Sequence, residues 1–181
     1  MWALPVGHGR HWGSNLPAAL DAIVGGWQLA GINVVTPGEP VTLTYSPAAS
    51  FVVSGIQQDF RGANNYRPNV TCDPYAPAAE QSITNWFNKT CVVLPTDPSQ
   101  PFGNAARNTV RGPSFWTFDV AAIKQVRLAG EARLELRVEA FNLFDRVNFA
   151  PPNGNRSSGG FGAITSTYDP RQVQLGVKLL W

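Results

Sequence analysis

Residues 171–181 read RQVQLGVKLLW. Val173, Leu175, Val177, Leu179 and Trp181 take alternate positions, with Gln172, Gln174, Gly176 and Lys178 between them. Successive side chains of a strand point to opposite faces, so this period of two predicts a strand with one apolar and one polar face. Leu180 is the one departure. Such a strand suits a wall with lipid on one side and water on the other. It equally suits the half-buried sheet of a soluble sandwich, and alternation alone does not separate the two.

The same period recurs upstream. In 133–142, RLELRVEAFN, Leu134, Leu136, Val138 and Ala140 share a face. Arg133, Glu135, Arg137 and Glu139 share the other, and their alternating sign limits repulsion along it. In 118–128, FDVAAIKQVRL, Phe118, Val120, Ala122, Val126 and Leu128 form an apolar face interrupted by Lys124. A Lys near a membrane boundary can snorkel, so Lys124 is expected to reach the headgroups. Ala129, Gly130 and Glu131 then read as a short turn, and matching the faces of this hairpin requires paired numbers with an even sum, which a register near Gln125 opposite Glu135 satisfies. Further back, 25–35 and 41–45 read as one strand interrupted by a bulge at Pro37-Gly38-Glu39-Pro40. Pro17 to Val24 reads as a short helix with Asn15 as its cap, and residues 2–6 as the end of a preceding strand.

Between these patterns lie a long stretch, 46–114, and a shorter one, 145–162, both rich in Pro, Asn, Asp and Gly. A loop as long as the first is functional or disordered unless it folds on itself. Cys72 and Cys91 both fall in it. One pair in an irregular segment suggests a disulfide formed in an oxidising compartment, with two free buried thiols as the other reading. Charged residues are only 14% of the 181 and net charge is +2, which argues against a nucleic-acid binder. No window is apolar enough for a transmembrane helix, so a membrane reading requires strands. No signal peptide opens the chain, and Met1 is therefore not expected to be the natural start.

Enzyme and metal chemistry find little support. His8, His11 and Asp21 could in principle hold a metal, but they lie in a Gly-rich connection without ligand spacing, and exposed turn histidines are the better reading. No nucleophile elbow, P-loop or dinucleotide fingerprint is present. Glu135 and Glu139 could pair as glycosidase carboxylates, yet Arg133 and Arg137 alternate with them, which favours a charge ladder. No catalytic residue, cofactor or metal ligand is expected. Asn69-Val70-Thr71, Asn88-Lys89-Thr90 and Asn155-Arg156-Ser157 match the glycosylation pattern by coincidence. Tyr66, Arg67, Trp86 and Phe87 are candidate exposed ligand contacts of the long loop, or else pack it against itself.

Several segments together resemble one family, the TonB-dependent outer-membrane receptors of the Oar-like type, which often carry a carboxypeptidase-regulatory-like domain. They are GGWQLAGI (25–32), NNYRPN (64–69), WFN (86–88), FGNAARNTVRGPSFWTFDVAAIKQVRL (102–128), ELRVEAFNLFDRVNFAPPN (135–153) and FGAITSTYDPRQVQLGVKLLW (161–181), in the family's order. The terminal strand, with Val173, Leu175, Val177, Leu179 and Trp181, resembles the signature read by the barrel assembly machinery. The resemblance implies a transmembrane barrel of about 22 strands enclosing a plug, driven by the TonB complex. Residues 1–181 then correspond to its C-terminal part, with the plug and remaining strands expected upstream. The fold expected is all-β, an antiparallel up-and-down meander of about five barrel strands with long external loops.

The lipid face falls to Val120, Leu134, Leu136, Val138 and the apolar set of 173–179, and the lumen face to Arg133, Glu135, Arg137, Glu139, Gln172, Gln174 and Lys178. A periplasmic C-terminus makes the 129–131 turn and the 7–24 connection periplasmic and the loops 46–114 and 145–162 external. The function expected is uptake of a bulky ligand of unknown identity across the bacterial outer membrane, with outer-membrane lipid, the barrel assembly machinery and the TonB complex (through the part upstream) as partners. The alternative is a secreted or surface β-sandwich acting as a binding module.

Overall fold

A computed structural model describes residues 1–46, 51–53, 56–58, 66–97, 100–128 and 130–181. Asn64 and Asn65 of the NNYRPN segment and Ala129 of the expected turn lie outside the described residues. In chain order the elements are β1 (Trp2–Ala3), α1 (Ala18–Val24), β2 (Trp27–Thr36), β3 (Pro40–Val41), β4 (Phe51–Val53), β5 (Ile56–Gln58), β6 (Asn69–Val70), β7 (Val92–Val93), β8 (Val110–Arg111), β9 (Phe115–Arg127), β10 (Arg133–Phe141) and β11 (Gln172–Leu180). Five form one open antiparallel sheet in the order β1-β2-β9-β10-β11. The others pair locally as β3-β8, β4-β5 and β6-β7. The fold class read from the sequence therefore holds: mostly strand, one short helix, and a five-stranded meander.

The registers follow from the period of two. Glu135 lies opposite Gln125, as face matching predicts, and Leu134, Leu136 and Val138 lie opposite Val126, Lys124 and Ala122. On the other side of β10 the same three face Leu179, Val177 and Leu175 of β11. A slip of one residue would put every apolar side chain on the wrong face, so the alternation itself fixes the pairing. Gly130, at φ +69, closes the tight turn between β9 and β10, with the Leu128 amide bonded to the Ala132 carbonyl at 2.8 Å.

Two local expectations are corrected. Residues 25–35 and 41–45 are not one bulged strand. β2 ends at Thr36, Gly38 turns the chain at φ +92, and β3 pairs with β8 outside the large sheet. Any side chain at Gly38 would collide with the Gly112 and Pro113 carbonyls, so the turn is held by a close backbone approach that alternation cannot reveal. Nor does Asn15 cap α1. The N-cap is Pro17, without a side-chain hydrogen bond.

The chain divides into two compact units. The first, 1–35, 116–147 and 169–181, holds the sheet and α1. The second, 36–115 and 148–168, takes in the 46–114 stretch and all but residues 145–147 of the 145–162 stretch that the sequence marks as loops. It has its own core of Val41, Leu43, Phe87, Val92, Ala105, Val110 and Phe161. With so few ladder bonds, side chains satisfy its backbone. Asn104 brackets Val70, accepting from its amide at 2.7 Å and donating to its carbonyl at 3.1 Å. Arg156 donates through Nε to the Val92 carbonyl at 2.6 Å while its guanidinium lies over the Phe161 ring. Cys72 and Cys91 form a disulfide across 19 residues, with Cα atoms 5.0 Å apart.

Candidate functional site

The two faces of the large sheet are the candidate site, because they differ so sharply in chemistry. One face carries Val120, Ala122 and Val126 of β9, Leu134, Leu136, Val138 and Ala140 of β10, and Val173, Val177, Leu175 and Leu179 of β11, aligned row by row. On β11 this face is bare: Leu175 is 75% and Val177 72% exposed, and Trp181 beyond them is 93% exposed. A contiguous apolar surface of this kind marks contact with lipid or with another protein, since water disfavours it by roughly 25 cal/mol per Å².

The opposite face gathers all seven residues assigned to the lumen. Glu135 lies between Gln125 and Lys178, and Glu139 lies opposite Gln174. Gln125 donates to Glu135 at 3.1 Å, and Arg137 lies 3.6 Å from Glu139. Gly176, opposite Arg137, leaves that long side chain room. The face is not purely polar: Ile123, Phe141 and Leu180 also lie on it.

Aromatic groups flank the apolar face at both ends of β9. At one end Trp116 stacks on Phe144 (5.5 Å, 13°), and Phe118 lies 5.8 Å from the same ring. Local chemistry bends Phe144 back there. Asn142 and Asp145 take the left-handed conformation, at φ 50 and 53. The Asn142 side chain accepts from the Arg146 amide and donates to the Arg146 carbonyl, while its own amide binds Asp119. Asp145 accepts from the Arg171 amide at 2.9 Å, which sets the entry to β11. Arg146 lies over the Trp116 ring, whose indole donates to Asn33 at 2.7 Å. At the other end are Trp2, paired with Leu29, and Trp27, under the Lys124 ammonium at 5.3 Å.

Lys124 does not snorkel. It is buried, and its ammonium donates to the carbonyls of Ile23 (3.1 Å) and Gly25. Helix ends leave carbonyls without intrahelical partners, and here Lys124 and the Trp27 indole, 3.0 Å from the Ile23 carbonyl, satisfy them. A cation among apolar neighbours looks anomalous along β9 alone, because its partners lie about a hundred residues earlier. The sequence offered one signal for this pairing, a C-terminal helix turn with no basic residue of its own.

Of the two readings of Tyr66, Arg67, Trp86 and Phe87, ligand contact or packing of the loop against itself, the structure shows packing, with Tyr66 and Phe87 buried and Arg67 and Trp86 half-buried. Phe87 is 0% exposed within the second unit's core. Tyr66 is buried and stacks on Phe102, Trp86 donates to the Arg111 carbonyl, and Arg67 reaches the Ala105 carbonyl. Buried Tyr45 donates its hydroxyl to the Pro101 carbonyl, and burial, reinforced by neighbouring Tyr66, pushes its pKa above the usual tyrosine value. Tyr168 is also shifted upward, chiefly by its hydrogen bond to the Glu39 carboxylate, with burial and the Glu39 charge adding to it. His8 and His11 are exposed, and Asp21 accepts the His8 backbone amide.

Comparison with known families finds one match over almost the whole chain, an outer membrane beta barrel domain covering residues 1–174. No curated protein and no solved structure matches the chain.

Proposed function

Because the chain belongs to the outer membrane beta barrel domain family and is located in the bacterial outer membrane, we propose that it is the C-terminal barrel segment of a TonB-dependent receptor that takes up a bulky ligand. The observation that carries this reading is the register-aligned apolar face of β9, β10 and β11, bare along β11, backed by a polar face and flanked by aromatics at both ends. The lengths suit a bilayer. β10 and β11 have nine residues each, and a tilted membrane strand needs about 9–11. β9 has thirteen, and its excess reaches the interfacial level where aromatic girdles sit. In this reading Arg133, Glu135, Arg137, Glu139, Gln172, Gln174 and Lys178 line the lumen. β11, with Trp181 just beyond it, is presented to the barrel assembly machinery, and the upstream part engages the TonB complex. The loops 46–114 and 145–162 are external in this reading, and the longer one meets ligand.

A secreted sandwich would need its apolar face covered, and on β11 Leu175 and Val177 stand 75% and 72% exposed. The test is uptake in cells carrying the whole protein. Collapse of the proton-motive force, or deletion of TonB, should abolish accumulation of the ligand while leaving surface binding intact. Accumulation that persists without TonB would remove the receptor assignment and leave the outer-membrane barrel domain standing.

A further inference from the structure

α1 is amphipathic in the wrong direction for a helix in water. Its sequence is AALDAIV. Ala18, Ala19, Leu20, Ala22, Ile23 and Val24 are all exposed, Ile23 at 66%, and the one charged residue, Asp21, is turned inward to accept the His8 amide. A helix at an aqueous surface buries its apolar stripe and shows its charges. This one does the reverse, and four bonds hold it so: His8 to Asp21, Trp27 to Ile23, and Lys124 to the carbonyls of Ile23 and Gly25.

The position of Lys124 identifies what surrounds the helix. Lys124 lies opposite Leu136, on the apolar face of the sheet. The helix it holds therefore lies on that face, at the end of the strands where the β9–β10 turn, Trp2 and Trp27 also lie. Leu20, Ile23 and Val24 of this helix are exposed, and the face from which Lys124 reaches it is the apolar one that carries Val126, Leu134 and Leu179. Helices with one apolar side at such a boundary lie in the plane of the interface, side chains among the acyl chains.

We propose that α1 is an interfacial foot: it lies on the outside of the barrel, dips Leu20, Ile23 and Val24 into the periplasm-facing leaflet, and is tied to the barrel wall by Lys124. The occupant of its exposed face is phospholipid. This rests on the barrel reading above, and the experiment separates the two. Nitroxide labels are placed at Ile23→Cys and, separately, at Leu175→Cys in the whole protein in its outer membrane. Collision with oxygen, which concentrates in acyl chains, is compared with collision with a water-soluble nickel chelate. Both labels should favour oxygen, and Lys124→Met should shift the Ile23 label toward the chelate while leaving the Leu175 label unchanged. If Leu175 favours oxygen and Ile23 favours the chelate, the foot is wrong and the barrel stands. If Leu175 itself favours the chelate, the barrel reading fails. An Ile23 label immobilised and reached by neither reagent would mean that protein covers the helix, which also overturns the proposal.

Discussion

The two units of this chain use apolar side chains in opposite ways. In the second unit Leu43, Phe87, Val92 and Val110 are sealed from solvent. In the first, Val173, Leu175, Val177 and Ile23 are among the more exposed of the large apolar side chains. Composition does not distinguish them, since Val and Leu serve in both. What differs is whether the folded chain covers its own apolar surface. The second unit does so with seven core residues gathered from distant loops, a disulfide and side chains bonded to backbone. The first leaves the task to its surroundings. One unit carries its solvent inside it, and the other borrows it.

Substitutions should therefore behave differently in each. Phe87→Ala should have the largest effect, about 3–5 kcal/mol, because it opens a cavity in the middle of that core. Hydrogen exchange should show the loss confined to 36–115 and 148–168, and spread of the loss to β10 amides would break the distinction. Leu175→Arg places a charge where the sheet meets lipid and should cost up to about 4 kcal/mol near the bilayer centre. Gln174→Arg, one residue away on the other face, should cost far less. Equal effects of the two on urea unfolding in vesicles would mean that the faces are not in different media.

Reducing Cys72–Cys91 should cost about 3 kcal/mol for a closed stretch of this length. Protease should then cut the second unit while the strands stay protected. The smallest effect is alkaline. Tyr45 holds its proton more tightly folded than unfolded, so its contribution is complete below pH about 10 and is lost as pH rises through its raised folded value. Tyr45→Phe should remove that sensitivity in exchange rates of the second unit, and the sheet should show none of it.

The first unit was largely legible in the sequence. Alternation located β10 and β11 to within one residue at each end and put Gln125 opposite Glu135. Strand pairing across a short turn needs only local information, which periodicity carries. The second unit was not legible, because its order is made by residues far apart. Thr42 exchanges hydrogen bonds with Asn108, 66 residues on, and Arg156 reaches back to Val92. Pro, Asn and Gly in such numbers read as loop, yet some of the described ones are specific joints. Gly103 has no space for a side chain against the Pro68 carbonyl, and Asn108 adopts φ 56. Lys124 and α1 were missed for the same reason. Each looks misplaced alone, and the two make sense only together.

The necks of the second unit have a consequence for how such a protein can change. Its chain leaves β2 and returns to β9 through the Pro40–Arg111 pair, and leaves again and returns to β11 through the Phe149–Thr167 bridge. Phe115 and Tyr168 meet edge to face beside these points, and Tyr168 is bonded to Glu39. Everything beyond is an excursion closed at its base. Lineages can therefore rewrite the excursion, in length as well as in sequence, without renegotiating the pairing of the wall. The clasp of Glu39, Phe115 and Tyr168 should outlast the surface it carries.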